Sequence, residues 1–492
     1  MKKVKRRTFT KQMVAAGAGL SLSRFTNEVS AQDAMSQRSG FYFEPAKNIP
    51  IREFDVVVAG GGTGGVFAAV AAARTGAKTA LIEGKGYTGG IAVEGGTALH
   101  SFFNLWKPFE GVKKQQVVKG MPSEFIDILY AMGGCTGHAE KSHRYDYDSV
   151  CTAIDTELYK LASMKYLKDA GVHLFLNSFV RGAVVNDQQV KGAIVESRSG
   201  RELFTAKLFI DCTGYGDLSA YAGAEYTDPN DYPVVNSFGM GNVNIEKWYD
   251  YLMRHDALRD LAHGRRSGKD DCIVRIGPHA ARLPDDLRNA IRGLGVNFVT
   301  TTVHDNYFMY IKVGTRLPQS PTNRDTVTEA EIRIRESQYR AVEALKKYVP
   351  GMENAFIART APSLVIRRGR SIKCDYDLSN QEIITAKHFD DEVFVYGFHD
   401  FSPRFQVGRG QTYGMPYRAL CVSGIENLYA AGMLITSDKN AHMSTRNTVS
   451  CMAQGQAAGT AAALCVKYKV GPRDLPFAKL KDHLVKDGVF FG

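Results

Sequence analysis

His442 and Arg446 lie four residues apart in Asn440-Ala441-His442-Met443-Ser444-Thr445-Arg446, so they share one face if the segment is helical. A histidine titrates near neutrality and can take or release a proton, and an arginine beside it can stabilise an oxyanion. A lone histidine is also often a packed structural group, and that reading stands next to the first. A second cationic run, Ile366-Arg367-Arg368-Gly369-Arg370, sets Arg367 and Arg370 three apart. Guanidinium groups fork onto a carboxylate, a phosphate or a developing enolate, and equally onto acidic partners that tie one domain to another. His100, Tyr307 and His399 have only their residue type to recommend them.

Such groups need a scaffold, and Phe54-Asp55-Val56-Val57-Val58-Ala59-Gly60-Gly61-Gly62-Thr63-Gly64-Gly65 provides the start of one. A buried-strand pattern runs into a glycine-rich turn and then an alanine-rich helix over 66–75. Gly60 permits the tight turn, Gly62 lets the backbone approach a pyrophosphate, and Gly65 lets helix pack on strand. Thr63 and Gly64 then fall at a helix N-terminus that faces the anion. A second strand, Thr79-Ala80-Leu81-Ile82, ends in Glu83, 18 residues past Gly65. Its carboxylate is positioned for both hydroxyls of an adenosine ribose and would repel a 2′-phosphate, which disfavours NADP. The plain alternative is a glycine-rich turn with a chance acid, and the surrounding strand and helix argue against it.

The chain has 492 residues, enough for two or three domains, and 44% hydrophobic with 23% charged residues suits a globular protein. Residues 1–31 hold a basic start, an apolar segment over 13–22 and a small-residue site at Val29-Ser30-Ala31. Lys5-Arg6-Arg7-Thr8-Phe9-Thr10-Lys11 resembles a twin-arginine export signal, which implies the twin-arginine export machinery as a partner and a periplasmic or secreted destination. A disordered basic tail is the alternative. Of the formal net charge of +11, residues 1–31 contribute +6, and the modest remainder is spread without a dense basic block. That argues against nucleic acid and is compatible with an acidic substrate. Beyond residue 31 no apolar run is long enough for a stable membrane span. The eight cysteines form no CxxC, no metal site is expected, and scattered cysteines in apolar runs read as packed thiols.

Further along, 98–150 reads as an irregular insertion, 155–170 as a helix, and the stretch from Gly171 to Ile210 as a series of strands forming a β meander, with Val180 in the strand from Phe179 to Val185. Phe209-Ile210-Asp211-Cys212-Thr213-Gly214-Tyr215-Gly216-Asp217 is a buried strand entering another glycine-rich turn. Near the C-terminus, Gly414-Met415-Pro416-Tyr417-Arg418-Ala419-Leu420 precedes Glu426-Asn427-Leu428-Tyr429-Ala430-Ala431-Gly432, and a small-residue helix follows through Gln454-Gly455-Gln456-Ala457-Ala458-Gly459-Thr460. The charged run 328–348 reads as a solvated helix.

Residues 50–100, 150–225 and 405–466 together resemble the discontinuous FAD-binding domain of the FAD-dependent oxidoreductases related to succinate dehydrogenase and fumarate reductase flavoproteins and to glutathione reductase. The resemblance implies an α/β fold, a Rossmann-like FAD-binding domain carrying an inserted α+β substrate or cap domain. That gives a signal at 1–31, an insertion at 101–149, the cap at 226–404 and a C-terminal tail at 467–492. It implies FAD as cofactor. Gly89 and Gly90 then form a loop near the flavin, and Val180, Gly214 and Asp217 join the cofactor-binding set. Gly432 ends the last strand, and Asn447 and Thr448 open a helix whose amides face the flavin edge. Arg367, Arg370 and Tyr376 match a motif of the same family, from which Gly369 and Cys374 depart.

The resulting expectation is hydride transfer between FAD and a small-molecule substrate, a sugar, hydroxy acid or amine. His442 moves the proton, Arg446 stabilises the oxyanion, and an unidentified acceptor other than NADPH takes the electrons. Reduction of a conjugated double bond is a second reading, although the fumarate-reducing motifs are not recognisable. A non-catalytic electron-transfer flavoprotein is a third.

Overall fold

The computed structural model describes residues 44–95, 99–100, 115–141, 150–400 and 404–492. The export signal expected at 1–31 and the 101–114 and 142–149 portions of the insertion lie outside the described residues, as does the side chain of His100. Met1–Asn48 and Ile49–Gly492 are separate compact units, and the described part of the first, 44–48, has neither helix nor strand.

In the second unit a five-stranded parallel sheet runs in the order Leu428–Ala430, Leu208–Asp211, Val56–Ala59, Thr79–Ile82, His173–Phe175. Its four inner and C-terminal strands are buried along their whole length, which is why they read as unbroken apolar runs. The helix Thr63–Arg74 crosses the helix Thr448–Tyr468 without intervening side chains. A Cβ added at Gly455 or Gly459 would stand only 2.1 Å from the Gly64 carbonyl or 2.0 Å from that of Ala68. This is the α/β, Rossmann-like architecture of the expected fold class.

The meander Phe179–Asn186, Gln189–Ser197, Gly200–Thr205 forms a second sheet, closed by Ile51–Glu53 in parallel with its last strand. A six-stranded antiparallel sheet, ordered Leu258–Arg266, Lys269–Pro278, Val296–Thr301, Tyr307–Thr315, Val234–Gly241, Phe356–Thr360, has its own core around Trp248, Phe298 and Phe308.

Several boundaries differ from expectation. Within the insertion read as irregular, Met121–Ala131 is a helix, with Met121, Phe125 and Leu129 at four-residue spacing buried in the core of the parallel sheet. The chain rejoins that core well before residue 405, because Ile372, Leu378 and the apolar strand Glu392–Tyr396 pack into it. The C-terminal segment is equally part of it through Leu480 and Leu484 of the helix Phe477–Lys486. The charged helix Arg324–Tyr348 is solvated on one face only; Ile334, Ala341 and Leu345 are buried on the other.

Candidate functional site

One cavity of about 370 Å³ follows the carboxyl ends of the parallel strands. Met433 and Gly432 line it beyond Leu428–Ala430, the turn of Cys212, Gly214 and Asp217 beyond Leu208–Asp211, Gly60, Gly62, Thr63 and Gly64 beyond Val56–Ala59, Glu83 beyond Thr79–Ile82, and Phe179 and Val180 beyond His173–Phe175. The carboxyl edge of an open parallel sheet is where such folds bind ligands, since every strand there gives way to a loop.

The glycines divide by what a side chain would meet. Gly60 has φ +95°, and a Cβ on Gly65 would lie 1.8 Å from the Gly60 carbonyl, so these two serve the turn and the helix packing. At Gly62 the nearest atom to an added Cβ is the Cys212 carbonyl at 3.9 Å, and at Gly432 nothing lies within 4 Å. Both open onto the cavity, so backbone and not side chain forms its wall there. The helix Thr63–Arg74 begins without a side-chain cap, leaving its first amides available to an anion. Gly89 donates its N–H to the Gly61 carbonyl at 2.9 Å, and a Cβ on Gly90 would meet Gly62 Cα at 2.8 Å; this loop seats the glycine turn.

Glu83 accepts hydrogen bonds from the amides of Gly61 at 2.7 Å and Lys85 at 2.8 Å, so it braces the turn while lining the cavity. Burial pushes its pKa up against the pull of those amides. Asp211, fully buried, accepts from the amides and hydroxyls of Thr213 and Ser219 at 2.8–3.0 Å, and Asp217 donates its amide to the Thr213 hydroxyl. This network fixes the loop that carries Gly214 and Asp217 along the cavity.

At the other end, Gly432 donates its amide to Gln454 Oε1 at 2.8 Å, so the long C-terminal helix holds the glycine in place. Asn447 precedes that helix without capping it by its side chain, which donates instead to the Met443 carbonyl at 3.2 Å. Asn447 and Thr448 are not in the cavity wall; Cys451, one turn further on, is.

Of the proposed catalytic residues, only Arg446 lines the cavity. It pairs with Asp400, stands over the Tyr232 ring at 5.3 Å, and its buried Nε has no hydrogen-bond partner. His442 is fully buried on the helix Lys439–Thr445 and outside the cavity wall. Its Nε2 lies 3.1 Å from the Met433 carbonyl and its Nδ1 3.2 Å from the Tyr232 hydroxyl. Burial, then the charges of Arg368 and Arg446, push its pKa well down, so the ring is neutral. Because a carbonyl only accepts, the proton is on Nε2; the Tyr232 hydroxyl beside Nδ1 donates its own proton to the Lys439 carbonyl at 2.9 Å. The ring therefore approaches Arg446 only by way of Tyr232, which is not itself in the cavity wall.

Arg370 donates to the Tyr215 carbonyl at 2.9 Å and to Asp217 at 3.0 Å, so it holds the loop that carries Gly214 and Asp217 and is not in the wall of this cavity. The departure at Gly369 has a cause: an added Cβ would lie 2.7 Å from Tyr215 Cα. Arg367 is mostly buried and does not itself form the wall, although Ile366 beside it does. Tyr376 bonds Glu382 away from the site, and His399, pushed down to about 4 by burial, bonds Asn380. Tyr307 packs on the antiparallel sheet, its ring against Gly239.

Sequence reasoning missed Tyr232, which comes to His442 from 210 residues away, and the group Lys85, Tyr87 and Glu94 in the cavity wall. Tyr87 donates to Glu94 at 2.9 Å, and Lys85 pairs with the same carboxylate. The loop 84–90 signalled its glycines and hid these side chains. Glu331 of the charged helix also lines the cavity and accepts the Leu364 amide at 2.5 Å, contrary to a purely solvated reading.

A family model described as FAD dependent oxidoreductase matches residues 55–484. A 3-oxosteroid 1-dehydrogenase of Mycolicibacterium smegmatis is 34% identical over 94 residues, 19% of this chain, and the match spans 16% of that protein's length. Among solved structures, a geranylgeranyl bacteriochlorophyll reductase-like protein from Thermoplasma acidophilum is similar with 14% identity, covering 89% of this chain and 83% of that one at a TM-score of 0.43. The p-nitrophenol 4-monooxygenase of Pseudomonas putida has 11% identity, coverage of 89% and 84%, and a TM-score of 0.43. No helix among the described residues is long and apolar enough to cross a membrane.

Proposed function

The chain belongs to the FAD-dependent oxidoreductase family, and from that premise we propose an exported enzyme that moves a hydride between a small organic substrate and FAD, its electrons passing to an acceptor other than NADPH. The observation that carries the reading is the single cavity that joins the uncapped glycine turn, Glu83 and the open backbone at Gly432 to the guanidinium of Arg446.

The residues fit the cofactor. Gly62 and Gly432 leave backbone walls where a Cβ would intrude, and the amides of Thr63 and Gly64 await a pyrophosphate. Glu83 keeps lone pairs for ribose hydroxyls after serving Gly61 and Lys85. When bound, FAD supplies a two-electron, hydride-accepting or hydride-donating group. The protein supplies the rest. Arg446 orients the substrate and stabilises charge on its oxygen, while Asp400 fixes the guanidinium. Tyr232, beneath the Arg446 guanidinium, exchanges the substrate proton, and His442, neutral and with its tautomer fixed by Met433, packs against Tyr232 and holds it there. Hence His442 is a positioning residue in this reading.

Only one nucleotide-type parallel sheet occurs among the described residues, which favours an acceptor other than NADPH. The basic, apolar and small-residue order of 1–31 favours export. Substrate-dependent reduction of an artificial dye without NADPH oxidation would support the function, and NADPH-driven turnover would overturn the acceptor assignment. Replacing Arg6 and Arg7 by lysine should retain the protein inside the cell; unchanged export would remove the twin-arginine proposal.

A further inference from the structure

The loop 302–306 joins two strands of the antiparallel sheet, Val296–Thr301 and Tyr307–Thr315, and is fastened to that sheet. Arg266 donates to Asp305 at 2.8 Å, the Asp305 amide donates to the Ser267 hydroxyl at 2.8 Å, and the Ser267 amide donates to the Val303 carbonyl at 3.0 Å. From this loop His304 places its Nε2 2.5 Å from Asp155 Oδ2, at the start of the helix Thr156–Asp169. Two further side chains of the sheet land beside it. Tyr310 donates to the Ile154 carbonyl at 3.3 Å, and Arg359 donates to the Thr156 hydroxyl at 2.6 Å and the Val93 carbonyl at 3.2 Å. The sheet is thus tied to three consecutive residues, 154–156.

That helix leads on to the glycine turn. Asp155 Oδ1 caps it by accepting from the amides of Glu157 at 2.7 Å and Leu158 at 3.1 Å. Tyr159 then wedges against the loop 84–90, where a Cβ on Gly89 would lie 2.9 Å from its ring, and the hydroxyls of Ser163 and Thr88 share a hydrogen bond at 2.7 Å. Gly89 in turn donates to the Gly61 carbonyl. The antiparallel sheet also holds part of the cavity wall, since Val365 of the lining is bridged to Val235 and the helix Arg324–Tyr348 contributes Val327 and Glu331.

We propose that His304 and Asp155 form a proton-dependent latch: the imidazolium holds the antiparallel sheet down on the start of Thr156–Asp169, and its neutralisation lets the sheet lift and FAD leave the cavity faster. Of the three side-chain types that tie the sheet down, only histidine changes charge near neutral pH. His304 is partly exposed, so solvent protons reach it. Its bond to Asp155 raises its pKa against the opposing effect of burial, and the charges of Asp155 and Asp305 add to the rise. Around the pair stand Asp305, engaged by Arg266, then Glu157 and Arg359 at the helix start, and Tyr307, whose hydroxyl burial pushes up to about 12 and so keeps neutral. The latch is therefore complete below the ordinary histidine value of about 6.5 and loses its charge–charge attraction as pH rises through the higher folded value. The inference needs FAD in the cavity and nothing about the substrate.

The test dilutes the FAD-loaded protein to nanomolar concentration at pH 6, 7, 8 and 9 and fixed ionic strength. FAD release is read from the rise in flavin fluorescence, calibrated with free FAD at each pH. Wild-type release should quicken by about threefold to tenfold from pH 6 to pH 9, as the charge-assisted bond weakens. His304→Gln keeps a donor that cannot ionise, and should release FAD at one rate throughout, no slower than the wild type at pH 9. His304→Lys stays cationic and should keep release slow up to pH 9; it carries the test alone if His304→Gln does not fold. A wild-type rate that is flat with pH, a pH dependence that survives in His304→Gln, or a His304→Lys protein that releases FAD as fast as the wild type at pH 9 would each overturn the latch.

Discussion

Gly62→Val is expected to separate cofactor binding from folding. Gly62 has φ −70° and ψ −172°, extended backbone that valine adopts without strain, and an added Cβ would have its nearest neighbour 3.9 Å away. The fold therefore tolerates the branch. The cavity does not, because the two methyls project where a pyrophosphate must approach the amides of Thr63 and Gly64. Loss of two charge-assisted hydrogen bonds at about 1.5 kcal/mol each amounts to about 3 kcal/mol, on the order of a hundredfold in Kd for FAD. Gly459→Ala provides the opposite case. Its Cβ would fall 2.0 Å from the Ala68 carbonyl, so two helices must part to restore an ordinary contact of 3.4 Å or more. Overpacking of that kind costs about 1–3 kcal/mol in stability. The assay is FAD content and Kd by flavin fluorescence, beside thermal melting of the FAD-free protein. Gly62→Val should be stable and colourless, and Gly459→Ala should melt early. A Gly62→Val protein that binds FAD with wild-type affinity, or that melts as early as Gly459→Ala, refutes the reasoning.

Tyr232→Phe and His442→Ala should each keep FAD and slow its reduction by substrate on the order of a hundredfold, and the double variant should be no slower than either single one, since both act through the Tyr232 hydroxyl. Additive losses in stopped-flow reduction would dismiss the pairing of these two residues. Asp211→Ala strands the amides and hydroxyls of Thr213 and Ser219 and should lower stability by about 3 kcal/mol or more while loosening FAD, measured by denaturant titration and FAD content. His304 bonds Asp155, the N-cap of the helix Thr156–Asp169, at 2.5 Å, and that bond raises the pKa of His304. A raised folded pKa adds stability that is complete below the unfolded value of about 6.5 and fades as pH rises through the higher folded value. His304→Asn should therefore narrow the difference in melting temperature between pH 6 and pH 9, and an unchanged profile would discount the pair.

The nucleotide sheet was legible because strands buried on both faces read as apolar runs and because Gly60, Gly62 and Gly65 have distinct mechanical duties visible in their spacing. Side-chain direction was not legible. His442 and Arg446 share a short helix and its capping residue, yet Arg446 meets the cavity while His442 turns to Met433 and Tyr232. Arg367 and Arg370 looked alike in sequence, and only the contact of Gly369 with the Gly214 turn decides that Arg370 serves the loop. Tyr232 carried no local signal, since its partner lies 210 residues on. Met121–Ala131 was overlooked because its flanks, mixed in polarity, masked a short amphipathic helix that Pro122 helps to start.

The most direct test of the central claim is an anaerobic absorbance titration of the purified protein with hydroxy acids, sugars and amines, followed at the oxidised-flavin band. Stoichiometric FAD whose band is bleached by a hydroxy acid is the predicted result; a flavin that no substrate in the panel reduces would contradict it.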